Sequence, residues 1–138
     1  MESIEADYTQ TFRDLSELSI EDLRDSKNIP ESSWGLHQCL KNKKIHDFLR
    51  LYCERLEKED VTDEERLENM QRTNPRYILR NWMAQKAIEM AENDDFSEVN
   101  FLLDILREPF KVSRAAEQRG YAGRPPGWSK RLAVSCSS

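Results

Sequence analysis

The sequence predicts an all-α fold, a helical region of about five helices over residues 1–110 followed by a basic, Gly/Pro-containing tail over 111–138. Three observations carry this. Only four glycines and five prolines interrupt 138 residues, so long windows lack the breakers that a strand-and-turn architecture needs. Apolar residues recur at steps of three and four, which lines one face of a helix. Several stretches open with residues suited to a helix start. With 38% hydrophobic and 34% charged residues, the chain is lean for an independent globule. It reads as thin helices with much solvated surface, or as a piece of something larger.

Tyr8, Phe12, Leu15 and Leu18 follow one another at steps of four, three and three, which predicts a first helix ending near Leu18. The polar, acidic stretch from Asp22 to Pro30 reads as a loop. A second helix is expected from about Gly35 to Glu59, with Ile45, Phe48, Leu49, Tyr52 and Leu56 as its stripe. Thr62 and Glu65 have the spacing of a capping box and open a third helix through Met70. Asn74-Pro75 reads as the start of a fourth, since Asn caps orphan amides and Pro suits the first helical position. That helix runs to about Ala91, and its broad apolar arc, including Trp82, Ala87 and Ile88, predicts a central place. Asp94 or Asp95 caps a fifth, carrying Val99, Leu102, Leu103 and Leu106, which Pro109 stops. Beyond Phe110 an irregular arm holds Trp128. Trp34, Trp82 and Trp128 are expected as packing anchors.

Charge is unevenly spread. The net charge is −5, but the stretch from Arg107 onward carries +5 and the first 106 residues −10. The tail reads as a solvated arm or as an arm that docks on an acidic surface. No aromatic platform or recognisable module accompanies it, so nucleic acid is not an expected partner. No stretch approaches the length of a membrane span. The leading Met1-Glu2-Ser3-Ile4-Glu5 has no signal- or transit-peptide character, which at face value describes a soluble intracellular protein.

Candidate chemistry is sparse. There is no glycine-rich phosphate loop. His37, Cys39, His46 and Cys53 lie at separations of two, seven and seven, whereas structural zinc sites favour ligands paired two to four apart. Core or surface roles are the expectation for all four, and no metal site is assigned. Arg76 and Arg80 lie one turn apart and read as an anion clamp or, more simply, as ion-pairing residues. Glu64, Glu65, Asp94 and Asp95 are expected as first-turn charges complementing helix dipoles. Cys136, three residues from the end in Val134-Ser135-Cys136-Ser137-Ser138, is the one candidate reactive group. No catalytic or cofactor-binding residue is assigned.

One family then fits. Thr73-Asn74-Pro75-Arg76-Tyr77-Ile78-Leu79-Arg80-Asn81-Trp82, continuing to Glu89, resembles the Asn-Pro-Arg-Tyr helix near the C-terminus of the selenoprotein O family. Asp95-Phe96-Ser97-Glu98-Val99, Leu102-Leu103 through Pro109-Phe110, and Tyr121-Ala122-Gly123-Arg124-Pro125-Pro126-Gly127-Trp128 continue it in order. Asp7-Tyr8-Thr9 with Phe12-Arg13 and Leu15-Ser16 is similar to an earlier helix of that family, and the likeness is weakest over 19–68.

The resemblance implies the C-terminal helical region of a protein-kinase-like enzyme. Such an enzyme transfers AMP from ATP, with Mg2+, to hydroxyl side chains of protein substrates, and in eukaryotes it is mitochondrial. It implies that the nucleotide-binding, metal-binding and catalytic residues lie in an upstream region, which would be this chain's partner. It also implies that Cys136 takes the position where many animal members carry selenocysteine, a redox role in which Cys39 or Cys53 is a candidate disulfide partner. The alternative is a non-enzymatic helical interaction module with a basic docking tail.

Overall fold

The computed structural model describes residues 6–132. The all-α expectation holds: the described residues form eight α-helices, two short 3-10 helices and no strand. They divide into two compact units, Met1–Arg76 and Tyr77–Ser138, each with its own core.

The first unit contains α1 (Tyr8–Leu15), α2 (Ile20–Arg24), α3 (Trp34–Cys39), α4 (Lys43–Leu56) and α5 (Asp63–Thr73). Asp7 caps α1 by accepting from the Gln10 amide. The stretch read as a loop holds α2 and a 3-10 helix over Ser26–Asn28. Ser19 and Asp22 form a capping box there, each side chain accepting from the other's amide, and Leu23 is buried. The long second helix is two. The chain turns at Leu40–Asn42, where the Asn42 side chain accepts from the Lys44 amide and starts α4 afresh. Thr62 and Glu65 do form the expected capping box of α5. Leu15, Leu23, Leu36, Cys39, Leu49 and Cys53 are among the residues that form the core.

Asn74-Pro75 begins no helix. Asn74 ends α5 in an extended conformation, φ −103° and ψ 113°, and its side-chain amide donates to the Met70 carbonyl. Steric conflict with the proline ring pushes the preceding residue out of the helical region, so Pro75 works here as a stop.

The second unit contains α6 (Asn81–Ala91), α7 (Ser97–Arg107) and α8 (Arg114–Gln118). Trp82, Met83 and Ala87 of α6 are buried, but Ile88 is exposed, so the apolar arc is narrower than its composition suggests. Asp94 turns the chain at φ 60°, and Asp95 accepts from the Ser97 amide at the start of α7. The stretch read as an irregular arm adds α8 and a 3-10 helix over Gly127–Arg131, and Ala116, Tyr121 and Ala122 join the core of this unit. Tyr77 holds α8 in place: its hydroxyl accepts from the Ser113 amide at 2.9 Å and donates to Glu117 at 2.6 Å. Tyr121 donates to the buried Glu98 carboxylate, which also takes Arg119 Nε at 3.3 Å. The Arg119 guanidinium lies 3.7 Å from the centre of the Phe101 ring. Trp34 and Trp82 are buried, as anchors should be, while Trp128 is half exposed.

Gly35 lets α3 lie close against α1. A Cβ there would stand 2.8 Å from Gln10 Cγ and from the Thr11 backbone nitrogen. Glycine in a helix is ordinarily destabilising against alanine by about 0.5–1 kcal/mol. Here the order should invert: Gly35→Ala should lose about 1–3 kcal/mol in urea unfolding, because α3 must move off a backbone that cannot yield. A stabilised Gly35→Ala would contradict the close packing of α1 on α3.

Candidate functional site

The chemistry of the described residues concentrates on α1, whose buried face is polar. Gln10, Thr11, Arg13, Asp14 and Ser16 are all nearly inaccessible, and buried polar groups are tolerated only when partnered. Each finds its partner on another element or on its own helix.

Asp14 reaches across the seam opened by Gly35. Its carboxylate accepts from the Leu36 amide at 2.9 Å and from Gln10 Nε2 at 2.7 Å. Ser33 makes no side-chain cap at the start of α3, so Asp14 supplies from α1 the acceptor that an N-cap would. Burial pushes the Asp14 carboxyl up from 3.8 to about 6, and the Leu36 and Gln10 hydrogen bonds pull back only part of that rise.

Two buried arginines clasp α1 and α5. Arg13 of α1 donates to the Gln71 and Asn74 carbonyls at 3.2 and 3.0 Å, satisfying the end of α5. Arg66 of α5 donates to the Leu15 and Leu18 carbonyls at 3.1 and 2.7 Å, satisfying the end of α1. Each helix thus places a cation on the other's negative end. The guanidiniums are paired as well, Arg13 with Glu17 and Arg66 with Asp63, both at 2.7 Å. Glu17 also binds Arg76 at 2.7 Å. Of the two readings of Arg76, the ion pair is therefore the one observed.

The other candidates disperse. Cys39 and Cys53 are buried free thiols; burial pushes both up, away from the reactive thiolate form. Cys39 Sγ donates to the Gly35 carbonyl at 3.3 Å. His46 is exposed with its Nε2 3.1 Å from the Leu40 carbonyl, and His37 is half buried. Among the described residues no three His, Cys, Asp or Glu converge on a point that would hold a metal ion. Cys136 lies outside the described residues. Asp14, Arg13 and Arg66 escape a sequence reading because their partners stand 22 to 61 positions away. The one local signal was Gly35, a lone glycine in an otherwise helical stretch.

What this arrangement does chemically is hold a proton. The folded state keeps the Asp14 proton between about pH 4 and 6, where the unfolded chain has released it, so this group's contribution is greatest at acid pH and falls as pH rises through about 6. Asp14→Asn removes the titration. Relative to that variant, the native chain should lose up to about 3 kcal/mol of stability between pH 4 and 7 in urea melts. A constant difference across that range would show that Asp14 is not desolvated.

No helix among the described residues is long and apolar enough to cross a membrane. A model of the family described as protein adenylyltransferase SelO matches residues 1–107. That stretch contains α1 through α7, including the clasp and the Asn74-Pro75-Arg76-Tyr77 motif, and it spans the weakly matching 19–68 region. With more than three quarters of its length in that match, the chain belongs to the protein adenylyltransferase SelO family.

Proposed function

We propose that this chain is the C-terminal helical region of a protein AMP-transferase, working in one polypeptide with a catalytic region that carries the nucleotide-binding and metal-binding residues. The observation that carries this reading is the family match over residues 1–107. Among the described residues no three carboxylates, histidines or cysteines come together as a group for Mg2+. No step of the transfer is assigned to them. Their part is architectural, an array of buried ion pairs and helix-end contacts that holds α1 to α5 as a preformed surface.

Cys136 is the proposed regulatory group. In the reduced state it is a free thiol. Oxidation by a disulfide-bearing or peroxide oxidant joins its sulfur to a second cysteine sulfur, releasing two protons and two electrons to the oxidant. Cys39 and Cys53 are poor partners while folded, because both are buried and their thiols are pushed up. A cysteine of the catalytic region is the better candidate. Transfer of a nucleotidyl group depends on positioning, so a tether of this kind could gate it.

The test uses the intact polypeptide that carries this chain, with AMP transfer from ATP to protein hydroxyls followed by mass spectrometry. Oxidant should change the rate of the native enzyme, and Cys136→Ser should abolish that response while leaving the reduced rate unchanged. If both respond equally, Cys136 gates nothing. If the 138-residue chain alone transfers AMP, the proposed division of labour is wrong.

A further inference from the structure

The sulfur of Met70 faces two hydrogen-bond donors, the Tyr52 hydroxyl of α4 at 3.4 Å and Arg66 Nη1 at 3.5 Å. A thioether is a weak acceptor, so neither donor gains much there. Among the described residues the Tyr52 hydroxyl has no other partner. Arg66 Nη1 spends one hydrogen on the Leu15 carbonyl at 3.1 Å, which leaves the other for the sulfur.

Met70 is half-buried and packs against the core of the first unit. Its carbonyl accepts from the Asn74 amide at 2.8 Å and from Asn74 Nδ2 at 2.9 Å. The residue therefore sits where α5 ends and beside the arginine that holds the end of α1. Two other described methionines differ from it. Met83 is buried, and Met90 is half-buried with no donor on its sulfur.

Oxidising a methionine ordinarily damages a packed site, because it puts a polar oxygen where the side chain was apolar. At Met70 the donors for that oxygen are already in place. One of them is cationic, and charge-assisted hydrogen bonds are the strong ones.

We propose that Met70 is a sulfoxide site: hydrogen peroxide oxidises its sulfur, and the new oxygen accepts from Tyr52 and Arg66. A sulfur lone pair forms the S–O bond as the peroxide O–O bond breaks. The second peroxide oxygen leaves as water with both peroxide hydrogens, so sulfur loses two electrons and peroxide gains them. The product ties α4 to α5 through a stronger acceptor. It also fixes the guanidinium that binds the Leu15 and Leu18 carbonyls. A methionine sulfoxide reductase returns the thioether, which makes the change reversible. The proposal rests on neither Cys136 nor AMP transfer.

The test treats the 138-residue chain with hydrogen peroxide, then with dithiothreitol to return disulfides and sulfenates to thiols. Peptide mass spectrometry locates the sulfoxide, and urea unfolding reads stability. Met70 should oxidise while Met83 stays intact. The unfolding constant should then fall about tenfold, as one added charge-assisted hydrogen bond would make it, and methionine sulfoxide reductase should restore it. Met70→Leu, which keeps a similar volume, should lose the response, and Tyr52→Phe should shrink it. Oxidation of Met70 that lowers stability or leaves it unchanged would overturn the proposal. So would an equal gain in Met70→Leu or in Tyr52→Phe, or a Met70 that stays reduced where Met90 is converted.

Discussion

The first unit is organised by a helix that buries the wrong side chains. An eight-residue helix with Gln10, Thr11, Arg13 and Asp14 inside cannot be held by apolar contact alone, because each unpartnered group would cost on the order of 1–3 kcal/mol. The requirement is met by position. Asp14 needs an amide, and the uncapped start of α3 supplies one. Arg13 needs acceptors, and the end of α5 offers two carbonyls. Arg66 returns the favour at the end of α1. Once these three requirements are satisfied together, the placement of α3 and α5 on α1 has little freedom left. The apolar core around Leu15, Leu36 and Leu49 then fills the space that these contacts define.

The second unit uses the same device more sparingly. Tyr77 and Tyr121 have their rings in the core and their hydroxyls on buried or half-buried carboxylates, Glu117 and Glu98. Arg119 and Tyr121, which lie beyond the end of the family match at Arg107, are bound to Glu98 of α7. This gives the Asn-Pro-Arg-Tyr motif a structural meaning. The Asn74 carbonyl takes Arg13, Arg76 takes Glu17, and Tyr77 takes Ser113 and Glu117. Each of these contacts secures an element in place.

The sequence is legible where the physics is local. The Thr62–Glu65 capping box and the stop before Pro109 involve residues within three or four positions, whereas α7 starts at Phe96 without the side-chain cap expected of Asp94 or Asp95. Asn74-Pro75 misled because an Asn can serve either end of a helix, and the constraint that proline imposes on its predecessor decides for the end. Ser19 and Asp22 lie where an acidic stretch reads as a loop, and their reciprocal hydrogen bonds make a helix start of it. The clasp was beyond reach by any local rule. Arg13 and Arg66 look like two solvated charges among 21 basic residues, and only the fold brings each to the other's helix end.

The central claim is that Arg13 and Arg66 act as one unit, and a double-mutant cycle measures that directly. Arg13→Ala, Arg66→Ala and the double variant would be unfolded in urea beside the native chain, and their stabilities compared. If each arginine holds the helix that presents the other, the two single losses should sum to at least about 1 kcal/mol more than the loss in the double variant. Additivity within about 0.5 kcal/mol would contradict the account, and would mean that the two helix ends are secured independently.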